Sequence, residues 1–102
     1  MKDKSFWKIY AWVVRGSQRK LAISYMEKPM TVTELKKRIN FNVKPPQKQL
    51  SLREVSRQLT SFEEQGLAKC LNPKDALGHI YQLTQKGMLL REEVLKEIEK
   101  LK

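Results

Sequence analysis

One cysteine and one histidine stand among 102 residues. A lone cysteine excludes an internal disulfide. Cys70 and His79 lie nine residues apart and cannot by themselves close a tetrahedral zinc site. No metal ligand set is therefore expected, and Cys70 reads as a small apolar residue. The chain also lacks a phosphate-cradling glycine loop, an HExxH helix and a nucleophile–His–acid set. Its carboxylates cluster as helical charge pairs, such as Glu93 and Glu97 with Lys96 and Lys100. No catalytic residue and no cofactor are expected. No apolar run is long enough to cross a membrane. The opening Met1–Ser5 leads into an aromatic stretch interrupted by Lys8, which is not a signal-peptide core. A cytoplasmic setting without a membrane partner is the expectation.

What is abundant is positive charge. Lys and Arg number 21 against 11 Asp and Glu, a net +10. The excess is segregated: fourteen basic and four acidic side chains lie in residues 1–57, and the remainder is balanced. Solubility alone does not require segregation. A one-sided positive field attracts polyanions, nucleic acid above all.

Local patterns outline one domain over residues 1–102. Residues 6–14 (FWKIYAWVV) form either a short helix or an extended arm, and Gly16 breaks that pattern. Ser17 is placed to cap a first core helix reaching about Met26, ended by Lys28-Pro29. Thr31 or Thr33 opens a second, with Val32, Leu35 and Ile39 on one face. Residues 40–49 (NFNVKPPQKQ) read as a connection, because Pro45-Pro46 prevents regular helix. Ser51-Leu-Arg-Glu54 is a capping box that starts a third helix reaching about Gln65. Gly66 follows at the left-handed C-cap position. Residues 67–72 and 79–84 are strand candidates around a turn at 73–78, and Thr84 caps a final helix. The expected fold is mainly α with a small β-hairpin: an α+β winged helix-turn-helix core at 17–84. Residues 1–16 precede it, and a C-terminal dimerisation helix occupies 85–102. The connection between the second and third helices is longer than the usual tight turn.

The third helix has the chemistry of a reading head. At 100° per residue, Leu52, Val55, Leu59 and Phe62 share a buried arc. Arg53, Arg57 and Ser61 lie opposite, flanked by Ser56 and Gln58. Arg pairs with guanine O6 and N7, and Gln with adenine. The competing reading is an ordinary solvated face. On the hairpin, Lys69 and Lys74 are candidates to follow a DNA backbone. His79 reads as a wing residue of mixed exposure.

Residues 51–67, SLREVSRQLTSFEEQGL, resemble the recognition-helix signature of ArsR- and MarR-like winged-helix regulators. Ser51, Val55-Ser56, Leu59, Phe62-Glu63 and Gly66-Leu67 carry the match, which continues through Leu71-Asn-Pro73 and Gly78–Gly87. The junction Tyr81-Gln-Leu-Thr84-Gln-Lys-Gly87 recurs in this group. Upstream, Trp12-Val-Val-Arg15-Gly-Ser-Gln-Arg19 looks like the opening of archaeal members. The resemblance covers about residues 10–90. It implies a homodimer on a roughly palindromic operator, usually as a repressor, with Arg53, Ser56, Arg57 and Gln58 reading bases. Ser51 and Ser61 complete the expected DNA-contacting set. Arg15, Arg19, Lys20, Lys36 and Lys37 are expected to touch phosphates of double-stranded DNA.

The last helix spreads Met88, Leu90, Val94, Leu95, Ile98 and Leu101 over an arc wider than one domain face needs. Phe6, Trp7 and Tyr10 can pack beside it. A subunit interface built from Phe6, Trp7, Tyr10, Leu90, Val94, Ile98 and Leu101 is expected. The plainer alternative is that both segments complete the monomer core. No residue specifies an effector pocket. Two other functions compete: a winged-helix protein-interaction module or subunit of transcription machinery, and a DNA-binding protein without sequence preference. Two outward arginines on the third helix argue against the first. Equal affinity for any duplex would mark the second.

Overall fold

The computed structural model describes residues 2–75 and 78–100. Five helices and three short strands follow in the order α1 (Lys4–Arg15), α2 (Ser17–Ser24), β1 (Met30–Thr31), α3 (Val32–Asn42), α4 (Leu52–Glu64), β2 (Ala68–Cys70), β3 (Ile80–Leu83) and α5 (Gln85–Lys100). This is the expected α+β winged helix-turn-helix arrangement. The segment left open between helix and arm is the helix α1. Its N-cap is Asp3, whose carboxylate accepts from the Phe6 amide at 2.9 Å.

Capping chemistry sets most element ends. Thr31 and Ser51 each form a complete capping box, with Glu34 and Glu54 respectively. At the end of α4, Gly66 takes φ +74°, the Leu67 amide donates to the Phe62 carbonyl and the Gly66 amide to that of Glu63. That is a Schellman closure, and it needs the left-handed glycine. Thr84 caps α5 as expected: its hydroxyl accepts from the Gly87 amide at 3.1 Å and donates to the Gly66 carbonyl at 2.7 Å. Ser17 is not the cap of α2. Gly16 holds that position, with no side-chain cap bond, and Ser17 is already helical.

The sheet has one strand more than expected. β3 is central, in the order β1-β3-β2, with Met30 opposite Tyr81 and Ala68 opposite Leu83, all antiparallel. Two residues are too short for an alternation pattern, so β1 is defined only by its partner some fifty positions away.

One core joins the layers. Val13, Ala22, Ile23, Leu35, Ile39, Val55, Phe62, Leu67, Leu90 and Val94 have no exposed surface. Phe6 is 2% exposed. These positions correct the expected subunit interface: Phe6, Leu90 and Val94 point into their own domain. α1 and α5 flank the same core, and their inward stripes are used up there. The wide apolar arc of α5 thus includes a monomer-core part. Trp7 remains 42% exposed, and Tyr10 and Ile98 are half-buried. Leu101 lies outside the described residues. Gly87 permits α5 to seat on the wing. A Cβ there would stand 2.0 Å from the Leu67 carbonyl oxygen.

Candidate nucleic-acid interface

α4 is held on its inner side by packing and by a polar relay. Val55, Leu59 and Phe62 are at most 1% exposed, and burial of each is worth about 1.5–3 kcal/mol. Gln58 is only 8% exposed and donates from Nε2 to the Gln18 side-chain oxygen at 3.1 Å. Gln18 in turn donates to Glu54, whose other oxygen accepts from the Ser51 amide. The relay ties α4 to α2 and satisfies every polar group it buries. Gln58 is therefore no base-reading side chain. Its wheel position borders the buried arc, and α2 covers it. Leu52 departs in the other direction: expected inside, it is 47% exposed.

The outward side of α4 carries Arg53, Ser56, Arg57 and Thr60, all exposed, with Ser61 half-buried at its edge. Neither arginine has an acidic partner among the described residues. Glu54 lies near Arg57, yet it is engaged elsewhere. The Ser51 amide first, then Gln18 and the Ser51 hydroxyl, hold its carboxyl below the usual range. Ser51 is exposed, with its oxygen accepting from the Glu54 amide at 3.1 Å.

The approach to α4 is also pinned. Asn40 donates to the Leu50 carbonyl at 2.9 Å and accepts from the Leu50 amide at 2.8 Å. This pair of bonds fastens the long connection to the end of α3. It brings Lys44 and Lys48, both exposed, just upstream of the arginines. In the sequence, residues 40–49 read only as a connection, which conceals Asn40, Lys44 and Lys48. Two lysines shortly before a capping box are the available signal.

On the wing, Lys69 and Lys74 are exposed. Asn72 organises the turn beneath Lys74: its oxygen accepts from the Ile80 amide at 2.7 Å, and its nitrogen donates to Asp75 and to the Gly78 carbonyl. His79 Nε2 lies 2.7 Å from the Asp75 carbonyl oxygen. The Cys70 sulfur faces the Asn72 side chain at 3.6 Å.

The expected phosphate contacts divide. Lys37 is exposed and Lys36 half-buried on α3. Arg19 is taken up internally: Nε donates to the Trp12 carbonyl at 2.7 Å, and the guanidinium lies 4.6 Å from the Trp12 ring centroid. That cation–π contact makes it a staple between α1 and α2, which corrects its assignment to a phosphate. Arg15 and Lys20 open instead onto a cleft of about 490 Å³, with Val14 and Ser24 and with Ile98 of α5.

No protein-family model matches the chain, and neither does any curated protein. Among the solved structures that share its fold are two crystal structures of transcription regulators. A MarR family transcription regulator aligns over 92% of this chain with TM-score 0.60 and 24% identity. A cysteine-to-serine mutant of MarR from E. coli, complexed with operator DNA, aligns over 93% with TM-score 0.57 and 21% identity. The chain spans 64% of the length of each. The winged-helix fold of those MarR proteins is the fold of this chain.

Proposed function

We propose that this chain is a sequence-specific double-stranded DNA-binding regulator of transcription, a cytoplasmic repressor that acts as a homodimer. It is not an enzyme. The carrying observation is the two-sidedness of α4. Its inner side is locked by the core and the Gln18 relay, while Arg53 and Arg57 stand outward with no acidic partner among the described residues. A rigid helix presenting unneutralised guanidinium groups suits the major groove, where arginine reads guanine. Ser51, Ser56 and Ser61 border that face. Lys69 and Lys74 on the wing, with Lys36, Lys37, Lys44 and Lys48, supply phosphate contacts and a salt-dependent affinity.

Two copies set the spacing. Paired reading helices about 34 Å apart enter successive major grooves. The surface left for a second copy on α1 and α5 is the exposed Trp7, with Tyr10 and Ile98, which are half-buried and also pack on the core. Trp7 stacks edge-on against Tyr10 at 5.4 Å and keeps much of its ring exposed. Repression follows from occupancy of the operator. The MarR structure complexed with operator DNA supports this reading by its shared fold.

The test is selection from a randomised duplex library at two salt concentrations, with the wild-type chain and the Arg53→Ala/Arg57→Ala variant. Enrichment of a two-fold symmetric motif, lost in the variant, is expected. Salt-sensitive binding without enrichment would make the chain a non-selective DNA-binding protein. Absence of binding at low salt would leave a protein-interaction module.

A further inference from the structure

The least expected feature of α4 is Leu52. Five large apolar side chains are exposed among the described residues, and Leu52 is the one that stands beside the outward arginines. It occupies the first position of the helix, where it contributes nothing to capping. Leu52, Ser56 and Thr60 follow one another at i, i+4 and i+8 and so form one stripe. Arg53 and Arg57 form the next stripe round the helix. The Thr60 hydroxyl donates back to the Ser56 carbonyl at 3.1 Å, so its hydrogen is committed within the helix. The stripe carries no charge until Glu63 in the last turn. Glu63 and Glu64 make that end of α4 acidic and unfit for phosphate. Contact is thus confined to the first turns, where the exposed side chains are Leu52, Arg53, Ser56, Arg57 and Thr60.

An uncharged stripe that begins with an exposed leucine, next to an arginine stripe, matches a definite surface in duplex DNA. The major groove carries one apolar group, the C5 methyl of thymine, and it can lie one base step from the guanine O6 and N7 that arginine reads. Lys44 and Lys48, exposed in the connection that leads into α4, argue for a polyanion over an apolar protein partner.

We infer that Leu52, assisted by Thr60, reads thymine methyl groups adjacent to the guanines read by Arg53 and Arg57. This rests on the DNA-binding reading above and adds a second letter to it. The recognised half-site then contains thymine beside guanine, and part of its selectivity resides in a methyl group alone.

Deoxyuridine tests this directly, because it differs from thymidine only by that methyl. The enriched duplex is made with each thymine replaced in turn by uracil. It is then titrated with the wild-type chain, with Leu52→Ala and with Arg57→Ala. Loss of one buried methyl-sized contact predicts binding weakened about fourfold at one or more positions. Leu52→Ala should bind the thymine and uracil duplexes equally at that position, while Arg57→Ala should keep the difference. Leu52 is half-exposed, and an unchanged helical circular dichroism spectrum shows that the variant folds. Selective wild-type binding that is indifferent to uracil, or a thymine preference that survives Leu52→Ala, would overturn the inference and leave the DNA-binding reading standing. If the wild-type chain binds no duplex, both fall together.

Discussion

On the α1–α5 side of the molecule, acids stand beside bases. Lys2 and Lys96 both reach Glu93, Arg91 reaches Glu27, and the Tyr10 hydroxyl donates to Glu97. On the α4 and wing side, Arg53, Arg57, Lys44, Lys48, Lys69 and Lys74 reach no acid among the described residues. The acid nearest the arginines, Glu54, is occupied by the Ser51 amide and Gln18. Both sides are rich in basic residues, so composition does not separate them. Pairing separates them in degree: Lys2, Lys96 and Arg91 are neutralised while Lys4, Lys8, Arg15 and Lys86 on α1 and α5 reach no acid among the described residues, and a polyanion responds to the net field. The difference teaches that the candidate surface is defined as much by where the carboxylates go as by where the arginines are.

The largest expected effect separates the two sides physically. Gly87→Ala would place a methyl group on the Leu67 carbonyl, at the seam where α5 meets the wing. Overpacking of this kind costs about 1–3 kcal/mol and more against backbone. A thermal melt should show a midpoint many degrees lower, or no cooperative transition. An unchanged midpoint would mean that the seam is loose.

A second experiment tests the comparison itself. Lys44→Gln/Lys48→Gln should lower the slope of log affinity against log salt by about two for duplex DNA. Lys2→Gln/Lys96→Gln, on the neutralised side, should leave the slope unchanged. Equal effects from both pairs would erase the distinction.

Acid probes the helix starts. Glu54 and Glu34 are held below the usual carboxylate range, chiefly by the amides of Ser51 and Thr31. A depressed folded-state pKa stabilises the fold fully above the unfolded value, and this is lost as pH falls through the folded one. Glu54→Gln should therefore melt below wild type at neutral pH and converge with it in strong acid. A constant gap across that range would remove the carboxylate from the account.

The smallest effect belongs to Glu93→Gln. Its partners Lys2 and Lys96 are solvent-exposed, and exposed ion pairs contribute little. The melting midpoint should hardly move, and DNA affinity should be unaltered. A clear gain of affinity would show that the α1–α5 side takes part in binding, because the change frees Lys2 and Lys96.

Local chemistry is legible in the amino-acid sequence. Ser51 and Glu54 are three residues apart, Gly66 follows its helix closely, and Thr84 precedes α5, so each reports its conformation through neighbours in the chain. The outward side of α4 follows from the same short-range periodicity. Arg53, Ser56 and Arg57 are exposed as expected, together with Lys69 and Lys74.

The remainder depends on partners far away in the chain. Gln58 is buried because Gln18, forty positions earlier, lies across it. Leu52 is exposed although Val55, in the same first turn of α4, is buried and Glu54 is held by Gln18. Arg19 is held by Trp12, and Phe6, Leu90 and Val94 are taken by their own core. β1 exists only through β3, and Asn40 fixes the connection only through Leu50. Helix limits and turns are set by hydrogen bonds a few residues long, which the sequence alone determines. Which face is covered, and which cation stays unpaired, is set by how helices pack, and only the tertiary structure decides that.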